Sequence, residues 1–159
     1  MSRYIPVTFI SLYSSVMHLS QVIAKVSRLD VLRREMISGL FFEMVEEFIT
    51  TDLLDFNPQL HVMPLPGRDE LEVTCQFGNP TRPIYLCAVK NSNHAKLATI
   101  AFLELQRANL PFKGYVVHDD IEALPAKDRK RITSAADKQF ISLDDFRENA
   151  RKVLLRDVA

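Results

Sequence analysis

The chain is poor in the residues that the commonest ligand sites require. Four glycines occur in 159 residues, and no Gly-rich loop follows an apolar run, which excludes P-loop and Rossmann phosphate sites. There is no serine nucleophile elbow and no His-Glu-x-x-His pair. The two cysteines, Cys75 and Cys87, both fall inside expected strands and lack metal-ligand spacing. They read as buried thiols rather than a disulfide or a zinc site, and point to a reducing, cytoplasmic setting. An excess of charge of either sign is missing too. Lys and Arg number 20, as do Asp and Glu, which argues against a general polyanion binder. The apolar stretch at residues 4–26 is broken by Pro6, His18 and Gln21 and closes near Lys25 and Arg28. It lacks the ~20 consecutive apolar residues of a membrane span and a clean cleavage site, so neither a span, a signal peptide nor a membrane partner is expected.

What is present is organised around residues 84–120. Ile84 to Val89 is an almost unbroken apolar run between Arg82-Pro83 and Asn91-Ser92-Asn93, the pattern of a buried strand. Asn93 or Ser92 is placed to cap a helix over 95–108. Its apolar residues Leu97, Ala98, Ile100, Ala101, Phe102, Leu105 and Ala108 form a stripe wide enough to predict heavy burial. Asn109-Leu110-Pro111 stops that helix, and 112–117 is a second apolar strand. Strand, helix and strand with short loops imply parallel pairing and a right-handed crossover.

The flanks follow the same logic. Helical spacing predicts helices over 12–26 and, after the capping-box form Ser27-Arg28-Leu29-Asp30, over 28–50, with a weak point at Ser38-Gly39. Strands are expected over 60–64 and over 70–77, where Leu71, Val73, Cys75 and Phe77 share one face and Glu70, Glu72, Thr74 and Gln76 the other. With the strand at 84–90 they should form an antiparallel meander. A helix from Leu124-Pro125 to 136, an edge strand at 139–141 and a helix opened by Ser142-Leu143-Asp144-Asp145 close the chain. The expected class is α/β with a mixed sheet: N-terminal helices, meander, β-α-β crossover, then helix-strand-helix. Residues 1–27 read as a helical extension and 28–159 as a single domain.

The order helix, strand, strand, strand, helix, strand over 28–120, with Glu70 and Glu72 on the second strand and Ala88-Val89-Lys90 closing the third, resembles the core of the restriction-endonuclease-like, or PD-(D/E)XK, superfamily. The central segment is also similar to uncharacterised bacterial and phage domains with the same apolar strand, Asn-rich turn and Ala-rich helix. In the superfamily an acid from the second strand and an acid-x-Lys on the third hold Mg²⁺, often helped by an acid from the first helix. Clustered carboxylates fix the hard cation, which with the lysine stabilises charge developing on phosphate. Lys90 stands where the family lysine would, but Ala88 replaces its acidic partner and has no oxygen to give. The resemblance therefore implies a nuclease-like domain with a degenerate site and no cofactor, acting as a nucleic-acid- or protein-binding or regulatory module. The alternative it leaves open is an active Mg²⁺ or Mn²⁺ nuclease with a migrated carboxylate. Glu72 and Glu104 would then be metal ligands, Lys90 the electrostatic stabiliser, and Glu47 (or Glu43) an auxiliary acid.

Each candidate also has a plain structural reading. Lys90 suits a solvated strand end, and Glu70 and Glu72 an exposed sheet face; Glu104 can pair with Lys96 or Arg107. His94 could meet an anion at a helix start or lie on the surface. His118-Asp119-Asp120 could handle metal or phosphate at the carboxyl end of a parallel strand, or be a polar exit. Lys127, Arg129, Lys130 and Arg131 are a nucleic-acid contact or a solvated face. Phe9, Ile10 and Leu12 exceed what a monomer needs, which makes a homodimer through the N-terminal helices, and with it an oligomeric scaffold, the further alternative.

Overall fold

The computed structural model describes the backbone of residues 7–159, and the side chains of all of these but 7–15, 30, 34, 35, 37 and 38. The expectation built on Phe9, Ile10 and Leu12 lies outside the described side chains. The chain divides into two units between Gly39 and Leu40. The first contains one helix, α1 (Val7–Gly39), which runs through Ser27 to Asp30 without the expected break. A capping box is a local preference, and a helix already propagating through it keeps its backbone bonds. The interruption falls instead at Gly39, where a missing side chain disfavours a helix interior. Within α1, Val16, Leu19, Ile23 and Val26 are exposed at helical spacing.

The second unit is an α/β body. Helix α2 (Phe41–Asp52) precedes a five-stranded sheet whose spatial order follows the chain: β1 (Gln59–Val62), β2 (Val73–Phe77), β3 (Ile84–Val89), β4 (Lys113–His118) and β5 (Lys138–Phe140). The first three strands form the expected antiparallel meander, and β3, β4 and β5 run parallel. Helices α3 (Ser92–Arg107), α4 (Ala126–Ala135) and α5 (Leu143–Val158) complete it. Phe41, Val45 and Ile49 of α2 pack with Phe146 and Leu154 of α5 on Phe77, Leu86 and Tyr115. On the other face Ala98 and Phe102 of α3 pack with Ile132 of α4 on Tyr85, Cys87 and Val116. Helices on both faces explain why β3 is apolar at every position.

Several local expectations need correction. The strand expected from residue 70 begins at Val73, because Glu70 sits in a 3-10 turn, Asp69–Leu71. The α3 cap is Asn91, whose side-chain oxygen accepts from the His94 N–H at 3.1 Å, so neither Ser92 nor Asn93 is needed. The apolar stripe of α3 is only partly buried, since Leu97, Ile100 and Ala108 are exposed. Ser142 does cap α5, accepting from Asp145 N–H at 3.1 Å, and Asp145 accepts in return from Ile141 N–H at 2.9 Å. Cys75 and Cys87 are free and buried, and burial pushes both thiols up to about 12. Among the described residues no helix is long and apolar enough to cross a membrane.

Candidate functional site

A cavity of about 240 Å³ opens where β2 and β3 part. Their ladder ends at the pair Cys75↔Leu86. Beyond it the Ala88 N–H is accepted by the Thr74 hydroxyl at 2.9 Å, so a side chain replaces the next backbone rung. Phe42 and Glu46 of α2, His61 of β1, Glu70 and Glu72 before β2, and His94 of α3 wall the opening. The cavity thus lies where the first helix of the body meets the second and third strands.

His61 is its centre. It stands between the ladder pairs Leu60↔Cys75 and Val62↔Val73, with a left-handed φ of 54°. Histidine tolerates that region better than most residues, yet such backbone persists only where its surroundings over-determine it. Here the surroundings are two carboxylates. Nδ1 lies 2.7 Å from Glu72 Oε1 and Nε2 lies 3.0 Å from Glu46 Oε1. When both ring nitrogens carry protons, each donates to one of these carboxylates. The hydrogen bond to Glu72 raises the ring's pKa most; burial opposes this, and the charges of Glu46 and Glu72 add to the rise.

This raised pKa fixes a sign. The cation's stabilisation is fully present below the unfolded value of 6.5 and is lost as pH rises through the higher folded value. With 56% of its side chain exposed, His61 contributes less than about 1 kcal/mol. The difference in urea midpoint between the wild type and His61→Gln should therefore shrink as pH rises above 6.5. A difference that stays constant would detach His61 from the two glutamates.

The other anticipated residues distribute unevenly around this centre. Glu72 belongs to it. Glu104 lies outside the cavity lining, with its carboxylate 3.8 Å from Arg68 and 4.0 Å from Arg107. Glu47 is exposed on α2, one position from Glu46. Glu70 lines the cavity rim but is bound by Arg68, whose hydrogen bond holds its carboxyl below the usual range. Lys90 follows β3, half-buried; burial and then the Lys90 charge lower the pKa of His94, whose ring meets Phe42 edge-on at 5.0 Å. His118 is fully buried, with Nε2 2.9 Å from Gln139 Oε1, and Asp120 accepts from the Glu122 N–H. That segment reads as a strand exit tied into the body. Lys127 and Lys130 are exposed on α4, while Arg129 pairs with Glu122 at 2.9 Å and Arg131 with Asp128 at 3.8 Å. Glu43, Glu46 and Glu47 lie near the C-terminal end of the helix expected over 28–50 and oppose its dipole, which marks Glu46 in the sequence without choosing it. His61 and Thr74 carry no such signal; the β1–β2 register, with His61 between the pairs Leu60↔Cys75 and Val62↔Val73, brings them beside Glu72.

The donor set does not fit the divalent ion that the active-nuclease alternative requires. Ala88 offers no oxygen, and both nitrogens of His61 are turned onto the carboxylates that a metal would need. Among the described residues no group of three or more His, Cys, Asp or Glu side chains is arranged to hold a metal ion. What the fold and site define is an α/β domain with a mixed five-stranded sheet and an acidic cavity in which a histidine stands between two glutamates. Comparison with family models, curated proteins and solved structures returns no match for the chain.

Proposed function

We propose that this is a nuclease-like domain that does not cleave and works as a binding module, its catalytic cation replaced by the His61 imidazolium. One observation carries the reading. An acid from the first helix of the body, Glu46, and an acid at the start of the second strand, Glu72, converge on a single positive charge supplied by the chain itself. Two further features support it. The helix-strand-strand-strand-helix-strand order on which the resemblance to the restriction-endonuclease-like core rests is present, and Ala88 offers no third-strand ligand. An imidazolium offsets one of the two carboxylate charges but cannot act as a Lewis acid toward a phosphate oxygen or generate a metal-bound hydroxide.

The test is cleavage of mixed single- and double-stranded DNA and RNA with Mn²⁺, run on the wild type and on Lys90→Ala. The expected result is no cleavage by either protein. Cleavage by the wild type that disappears in Lys90→Ala would overturn the reading and establish the active alternative, with Glu72 retained as a ligand.

A further inference from the structure

The outward half of α3 has a counterpart on α4. Lys96, Thr99, Ile100 and Leu103 of α3 and Arg131 and Ser134 of α4 line an apolar groove of about 410 Å³ between the two helices. Ile100 is 43% exposed and Leu103 50%, so the floor of the groove is open. Its rim is positive: Lys96 and Arg131 border it, and Lys127 and Lys130 lie exposed one helical turn before Arg131 and Ser134. The nearby acids all have partners, and one of them holds Arg131. Asp128 is buried and takes the Ser92 hydroxyl as well as Arg131, and Glu104 faces Arg68 and Arg107.

We propose that the α3–α4 groove is the docking site for an acidic amphipathic helix of a partner protein. Such a helix sets apolar side chains one turn apart against Ile100 and Leu103 and carries its carboxylates to Lys96 and to the exposed Lys127 and Lys130. A nucleic-acid backbone would satisfy the lysines but leave both apolar side chains facing phosphate and sugar. The α1 helix of a second copy is disfavoured by charge, since its Lys25, Arg28, Arg33 and Arg34 outweigh Asp30 and Glu35. The proposal goes beyond the reading of the His61 cavity and stands without it.

Fluorescence anisotropy on the full chain tests it. The probe is a labelled designed helix of about 18 residues, leucine at helical spacing and glutamate elsewhere; a scrambled peptide and a 20-nucleotide single-stranded DNA are the comparisons. Saturable binding of the helix is expected, weakened by about tenfold or more by Leu103→Glu and by Lys96→Glu, with little binding of the scrambled peptide. Both substitutions are at exposed positions, and far-UV circular dichroism verifies that each variant is folded. Absence of helix binding, or binding indifferent to Leu103→Glu or to peptide order, overturns the proposal. DNA binding that Lys96→Glu removes and Leu103→Glu leaves intact would also overturn it and assign the face to nucleic acid.

Discussion

Phe102→Ala should cost about 3–5 kcal/mol in urea denaturation, the range for truncating a large buried aromatic. Phe102 is fully buried, and its ring stacks on Phe112 with centroids 5.9 Å apart. It also meets Gly114 at the start of β4. A Cβ at Gly114 would lie 3.2 Å from three atoms of the Phe102 ring. Gly114 has no positive φ, so its conformational freedom is not what the position uses. The strand cannot readily back away, because the Gly114 N–H donates to Asp137 Oδ2 at 2.7 Å and its carbonyl accepts from the Asp137 N–H at 2.8 Å. Glycine is there because the ring is there. Gly114→Ala alone should cost about 1–3 kcal/mol by overpacking. In a Phe102→Ala background the same change should cost much less, since the ring no longer stands in the way. Costs that add to within about 0.5 kcal/mol would show that the ring does not select the glycine.

That contact belongs to the part of the fold most legible from sequence. The β3-α3-β4 unit is specified by adjacent signals: an unbroken apolar run, an Asn-rich cap and an Asn-Leu-Pro stop. The meander is similarly local, with Pro and Gly at its turns. The errors arise where neighbours outvote a local signal. Ser27 to Asp30 has the form of a helix start, yet α1 continues through it. The apolar side of α3 exceeds what the sheet can cover, so a wide stripe that implied burial leaves Leu97 and Ile100 outside.

The site was less legible for a geometric reason. Its three central side chains come from α2, β1 and the approach to β2, and only strand register unites them. Adjacent helix positions differ by roughly 100° around the axis, so choosing between Glu46 and Glu47 requires knowing which line of the stripe is buried. That line is Phe41, Val45 and Ile49. The assignment of Glu104 turned on Arg68, a turn residue 36 positions earlier whose approach to the helix no periodicity discloses. Ala88 was legible at once, because the absence of an oxygen needs no register to be seen.

His61→Glu should convert the cavity from one that needs no metal into one that does. In the wild type the His61 ring stands between Glu46 and Glu72, 3.0 Å and 2.7 Å from their carboxylates. With a third carboxylate in its place, three negative charges face one another around a cavity of about 240 Å³ without a cation. Like charges at this spacing raise one another's pKa values and favour the unfolded chain at neutral pH. The variant should therefore unfold at lower temperature than the wild type in metal-free buffer. Oxygen-only ligands suit a hard divalent ion. At an ion concentration about 100 times its dissociation constant, binding to the folded state alone restores about 2.7 kcal/mol. For a body of this size that corresponds to roughly 5–10 °C in melting temperature. Differential scanning fluorimetry with Mn²⁺ and Ca²⁺, on the wild type and His61→Glu, reads the effect directly. The wild-type melting temperature should not move, whereas the variant's should rise with ion concentration and saturate. A variant indifferent to both ions would mean that Glu46 and Glu72 do not form a cation-binding pair, which would remove the reason for reading His61 as the replacement of a metal.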